Sequence, residues 1–257
     1  MLQALSSAAS ALKKQQMRLD KVANNIANIN TIGYKQFRLD FTDSRYHNGI
    51  TPGPARNPHL NQQRGHGVLV TGITPDFTQG MMVRTEGSLD FALEGEGFFL
   101  IGDLAGNMFY TRNGNFTLSV EADGTYLVNG NGLYVFDANE ERIRVPFGTT
   151  RIEVGREGEL IFTAPDEEVT TYLGIFTFRN LMGLHSVGNS MWVQDEGTGE
   201  RRVPENTVLR QGMLEGSNVD LADEMTRMIR TQRAFQLASR ALTTADEMEG
   251  VANNMRR

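Results

Sequence analysis

The chain has 257 residues, no Cys, 27 Gly and a formal net charge of −6, with 39% hydrophobic residues. That apolar content excludes a disordered chain, and the acidic balance argues against nucleic acid as a partner. All seven Pro lie between Pro52 and Pro204, and every Gly except Gly33 and Gly250 lies between residues 34 and 216. Ends free of helix breakers therefore flank a breaker-rich middle, which rules out a uniform α/β chain.

Residues 1–33 predict a helix. Leu2, Leu5, Ala9, Leu12, Leu19, Ala23 and Ile26, with Gln16 in the one polar slot, recur in alternating steps of three and four, a heptad seam. About 27 helical residues would span roughly 40 Å, and Gly33 is the expected stop. Residues 1–35 carry a net +4. Lys13 and Lys14 interrupt the stretch where a cleavable signal peptide would need its apolar core. No run approaches the ~18 apolar residues of a membrane span.

Residues 34–67 read as an extended, Pro/Gly-rich connecting segment. Within it, 46–66 is either a flexible linker or an interaction arm. Residues 68–216 predict a β-rich body with short strands at 68–74, 90–93, 97–101, 107–111, 115–120, 125–128, 133–136, 151–154, 159–163, 171–178, 190–194 and 207–210. Asn113-Gly114, Asp123-Gly124, Asn129-Gly130 and Glu157-Gly158 supply hairpin turns, so the strands are expected to pair antiparallel. Residues 217–257 predict a second helix, capped by Asp220, with a seam of Leu221, Met225, Met228, Gln232, Phe235, Ser239 and Leu242. The fold class expected is mainly β with long N- and C-terminal α-helices: an antiparallel β-rich central body plus terminal coiled-coil segments. The two helices pair with each other, or with copies of themselves or relatives. A third option, the basic N-terminal helix lying on a membrane, is disfavoured because its apolar face has no Trp or Phe.

No constellation of catalytic residues stands out. Gly95-Glu-Gly97-Phe-Phe has neither the third Gly nor the strand–helix setting of a dinucleotide loop. His47, His59, His66 and His185 lack metal-ligand spacing, and Glu140-Glu141 and Asp166-Glu167-Glu168 sit in turn-like polar surroundings. The expectation is a protein that is not an enzyme, with no cofactor, no metal and no small-molecule substrate.

The stretch 23–35, ANNIANINTIGYK, resembles the signature of the bacterial flagellar basal-body rod protein family, the rod and hook axial proteins. It matches at Ala23, Asn24, Asn25, Ile26, Ala27, Asn28, Thr31, Gly33, Tyr34 and Lys35. GEGFF at 95–99 and YTRNGNF at 110–116 are similar to the family's central β-region. EGSNVDLADEMTRMIRTQRAF at 215–235 is similar to its C-terminal helix block. The length and the ending are most like the distal-rod members. A proximal-rod or hook-like axial paralogue is the alternative, and a glycan-binding or peptidoglycan-acting β-domain on a coiled-coil stalk is the alternative of a different class.

The resemblance implies a structural subunit that leaves the cytoplasm through the flagellar type III export apparatus, without signal cleavage. It implies self-assembly through terminal helices into a helical tube that transmits torque in the basal body. The implied partners are other copies, other rod and hook proteins and the export apparatus. It further implies terminal helices that become ordered only on assembly. The expected assembly interface comprises Leu5, Leu12, Leu19, Ile26, Asn24, Asn25 and Asn28 at one end, and Leu221, Met225, Met228, Phe235 and Leu242 at the other. Thr31, Gly33, Tyr34, Gly95, Gly97, Arg112, Gly114, Ser217, Asn218 and Val219 are expected to be structural motif residues.

Overall fold

The computed structural model describes residues 2–43, 46–48, 63–65, 68–155, 158–165 and 168–255, with residues 2–5, 46–48 and 63–65 described by backbone alone. Helix α1 (Leu2–Ala27) is rich in Ala, Leu, Lys and Gln, all good helix formers. It ends at Ala27, ahead of the expected stop at Gly33, because the Asn-rich segment offers the backbone other partners. The Thr31 amide donates to the Asn28 carbonyl (3.1 Å) and the Thr31 hydroxyl to Asn28 Oδ1 (3.1 Å). Gly33 then takes φ +66°, which reverses the chain. Helix α2 (Leu221–Asn254) begins where the Asp220 carboxylate accepts from the amides of Ala222 (2.8 Å) and Asp223 (3.1 Å). The mainly β chain thus has one helix near each end, as expected.

The chain divides into a helical unit, residues 1–27, 37–74 and 220–257, and a β unit, residues 28–36 and 75–219. The backbone passes between the units after Ala27, Gln36, Thr74 and Val219, four crossings in all.

In the helical unit, α1 packs lengthwise on α2. Asn25, near the end of α1, meets Glu224, in the first turn of α2, so the helices run antiparallel. Strand Phe37–Asp43, inside the segment expected to be merely connecting, is hydrogen-bonded to strand Val68–Pro75. Arg18 lies over the Phe41 ring and Lys21 over the Phe37 ring, each 5.5 Å from the centroid, and these contacts hold α1 to the first of those strands. Strands Tyr46–Asn48 and Gln63–Gly65 pair antiparallel, and the loop between them, which holds most of the proposed arm, lies outside the described residues.

In the β unit the described strand pairs are antiparallel. The main sheet centres on Phe98–Gly102, buried along its whole length, flanked by Met108–Thr111, Tyr134–Val135 and Ile175–Phe178. Its core gathers Phe91, Phe99, Ile101, Leu127, Val135 and Phe162 among others. A second aromatic cluster joins Phe77, Phe98, Phe178, Tyr110 and Trp192, edge to face except for the tilted Phe98–Phe178 pair.

Hairpins form across Asp123-Gly124 and after Asn129, as the turn dipeptides predict. Two expectations need correction. Asn113-Gly114 closes no hairpin, since the strands on either side pair elsewhere; Gly114 is there for close approach, and a Cβ on it would stand 1.8 Å from the Phe91 carbonyl oxygen. The single strand expected over 171–178 is broken at Leu173-Gly174. Glu168–Tyr172 belongs to a three-stranded sheet with Arg151–Val154 and Glu159–Thr163, and Ile175–Phe178 belongs to the main sheet.

Candidate assembly site

The deepest positions between α1 and α2 are largely polar. Among the described side chains, Val22 and Asn25 are the buried residues of α1, and Glu224 and Thr231 those of α2. The Asn25 side chain clasps the next strand at both ends: Nδ2 donates to the Phe37 carbonyl (3.0 Å), and Oδ1 accepts from the Phe37 amide (3.1 Å). Nδ2 also reaches Glu224 Oε2 (3.3 Å), while Glu224 Oε1 accepts from Arg227 (3.1 Å). Each polar side-chain atom of Asn25 and Glu224 has a partner, which is the condition for a buried polar group to be tolerated.

The covered side of α2 follows Glu224, Met228, Thr231, Phe235, Ala238, Leu242 and Ala245, a clean heptad line. Its other face leaves large apolar side chains in solvent: Met225 is 49% exposed, Ile229 52%, Leu237 65%, Met248 57% and Val251 58%. One side of the helix is spent on α1, and the other stays largely exposed among the described residues.

In the β unit, three distant segments converge on one carboxylate. Glu215 is fully buried; its Oε1 accepts from Lys35 Nζ (2.6 Å) and the Gly80 amide (2.9 Å), and its Oε2 from Arg112 Nη1 (3.1 Å). Lys35 also donates to the Thr78 carbonyl (2.8 Å), and Arg112 to the Gly95 carbonyl (2.8 Å). Arg112 stacks on Phe98, 5.3 Å from its centroid. Burial lowers the pKa of Lys35 and of Arg112, while the Glu215 charge opposes the shift in both. Beside this triad, Asn218 Oδ1 accepts from the Gln36 amide (2.8 Å), and its Nδ2 donates to the Asp76 carbonyl (2.8 Å) and to Thr78. Gly33 fits only because it has no side chain: a Cβ there would stand 2.6 Å from the Asn113 nitrogen, and its amide donates to the Glu215 carbonyl (2.8 Å).

Comparison with known proteins gives three family matches in chain order. Residues 5–35 match the family described as flagella basal body rod protein, 92–162 the flagellar hook protein FlgE/F/G D1 domain, and 210–255 the flagellar basal body rod FlgEFG protein C-terminal family. The flagellar basal-body rod protein FlgG of Borreliella burgdorferi is 35% identical over 272 residues, covering 100% of both chains. This chain belongs to the flagellar basal-body rod protein family. The rod protein FlgG of Bacillus subtilis is 34% identical, again over 100% of both chains, and that of Agrobacterium fabrum 34% over 98% of each. Each of the three segments matched to rod-family patterns delivers one member of the buried triad: Lys35 from the first, Arg112 from the second and Glu215 from the third.

The residues singled out from sequence sort into two places. Leu12, Leu19 and Ile26 are half-buried on α1, Asn24 is exposed, Asn25 is the clasp described above, and Leu5 is in α1 with its side chain outside the described residues. On α2, Leu221 and Met225 are on the exposed face, and Met228, Phe235 and Leu242 on the covered one. Asn28, Thr31, Gly33 and Tyr34 form the turn after α1. Gly95, Gly97, Arg112, Gly114, Ser217, Asn218 and Val219 lie in the β unit, where Gly95 and Gly97 take φ +117° and +129°. Sequence reasoning passed over Glu215 and Glu224. For Glu215 the available signal was a lone carboxylate inside a stretch otherwise made of small and apolar residues; Glu224, next to Asp223, carried none. Neither helix is long and apolar enough to cross a membrane.

Proposed function

We propose that this chain is a structural subunit of the bacterial flagellar rod, most like the distal-rod members, which polymerises through its helical unit into a tube that transmits torque. The exposed apolar stripe of α2 carries the reading. Helices gain most of their stability from burying an apolar face, and a monomer leaves this one in water. Stacking copies so that the stripe meets Leu12, Leu19 and Ile26 of a neighbour would bury it in a heterologous contact that does not close, which produces a filament. The terminal seams then act as coiled-coil-like contacts between subunits. The rod-protein relatives support a distal-rod role over a hook-like paralogue. Export through the flagellar type III apparatus without cleavage, and contacts with other rod and hook proteins, follow from the same reading.

The test is assembly of purified protein carrying Met225→Asp together with Ile229→Asp. Both positions are exposed, so the β unit keeps its Trp192 fluorescence while tubes seen by electron microscopy are lost. Wild-type-like tubes from this variant would show that the stripe does not drive assembly.

A further inference from the structure

Charge is distributed unevenly between the two units. The helical unit carries 14 Lys and Arg against nine Asp and Glu, and the β unit carries 11 against 22. Within the helical unit the cations are concentrated. Residues 225–245 of α2 hold Arg227, Arg230, Arg233 and Arg240 with no acid, and α1 contributes Lys13, Lys14, Arg18 and Lys21 with Asp20 as its one carboxylate. Because α1 and α2 are antiparallel, with residue 25 beside residue 224, the two basic stretches fall at the same level along the pair, a belt around it in which Arg230, Arg233 and Arg240 stand exposed on α2 while Arg18 and Lys21 lie over the Phe41 and Phe37 rings. Arg227 pairs with Glu224, but among the described residues Lys13, Lys14, Lys21, Arg230, Arg233 and Arg240 have no carboxylate within ion-pair distance.

Like charges crowded on two packed helices repel one another unless an anion is brought to them. We infer that the belt is a docking surface for the acidic β unit of a second copy, an inference that rests on the assembly reading above. The β unit is itself the argument for that occupant. With twice as many acids as bases it repels an anionic membrane or nucleic acid as its own helical unit approaches one. It also presents the complementary charge on every copy, at the high local concentration of a growing polymer. The apolar stripe of α2 supplies adhesion, and the belt supplies orientation and speed of addition, the usual contribution of complementary charge.

The composition makes the contact traceable. The only Lys residues are Lys13, Lys14 and Lys21 in α1 and the fully buried Lys35. A zero-length carbodiimide joins an amine to a carboxylate, so side-chain cross-links in the polymer must start from α1. Polymers of mixed ¹⁴N and ¹⁵N subunits, cross-linked and digested, are expected to give mixed-label peptides joining Lys13, Lys14 or Lys21 to Asp or Glu of residues 75–219. The critical concentration for assembly should rise by about tenfold between ~0.05 and ~0.5 M salt. A rise of similar size is expected for Arg230→Glu with Arg233→Glu, at unchanged helical content. Polymers whose mixed-label links join α1 only to the acids of α2, or show no such links, overturn the belt and leave the assembly reading standing. Salt-insensitive assembly does the same. Failure of the wild-type chain to polymerise at any concentration overturns both.

Discussion

Replacing Glu215 by Ala removes the single anion from a site that holds two buried cations. The contacts of 2.6 Å to Lys35 and 3.1 Å to Arg112 are each on the order of 5–6 kcal/mol of Coulomb attraction at an effective dielectric of about 20, most of it offsetting the cost of taking the charges out of water. Truncation discards the attraction and keeps the desolvation, so the expected loss is about 3–5 kcal/mol, with the orphaned Gly80 amide contributing to it. Lys35→Met costs less, about 2 kcal/mol, because Glu215 still has Arg112 and Gly80, and the Met chain fills much of the space of the Lys stem. In the double variant the uncompensated ammonium is gone as well, so the two losses are less than additive by about 2 kcal/mol. Urea unfolding followed by Trp192 measures this directly. It is the one Trp of the chain, it is buried, and it belongs to the β unit. A loss below about 1 kcal/mol for Glu215→Ala, or additivity within about 0.5 kcal/mol, would refute the reasoning.

Other substitutions test neighbouring parts of the argument. Gly33→Ala forces a Cβ into a left-handed residue and against the Asn113 backbone, and should lower the Trp192-detected stability by about 2 kcal/mol or more; a neutral result would mean that the turn relaxes freely. Asn25→Ala deletes both bonds to Phe37 and the one to Glu224. We expect about 2 kcal/mol of local destabilisation, read as faster amide exchange at Phe37, and unchanged exchange there would contradict the clasp. Tyr126 and Tyr134 ionise above the ordinary value of 10, because their hydroxyls donate to Asp123 and Glu121. A raised folded pKa means that this contribution to stability is complete below pH ~10 and disappears as pH climbs through the folded value. Alkaline absorbance titration should therefore show a late tyrosinate component that Tyr126→Phe with Tyr134→Phe removes; the same curve from both proteins would dismiss the hydrogen bonds as its cause.

The helices were readable because their signals are local. Asp220 caps within three residues of itself, and a run with no Gly or Pro from residue 221 to 249 leaves little alternative to helix. The face each helix would cover was harder to read. The predicted seam of α2 put Leu221 and Met225 in line with Met228, yet the contact with α1 runs through Glu224 and Thr231, one residue away from the more apolar positions. Hydrophobicity marked where apolar surface exists, and tertiary pairing decided which part of it to bury. Asn113-Gly114 shows the same limit for turns, since the dipeptide permits a hairpin and the close approach to Phe91 prevents one. The triad lay further from view. Lys35, Arg112 and Glu215 are separated by 77 and 103 positions, and nothing in the local pattern says that they meet. Only the order of the blocks that resemble the rod family hinted that those segments act together.

The four backbone crossings between the units have a mechanical meaning. Two bodies joined by a single linker can swivel, and a twist applied to one is lost in rotation about that linker. Here the peptide chain runs back and forth after Ala27, Gln36, Thr74 and Val219, so the two units are joined by four covalent connections and not by one. Cutting any one of them leaves three. A rod-family subunit stitched to itself in this way stays whole after a single break, and the stitching is written into the order in which the segments leave one unit and return to it.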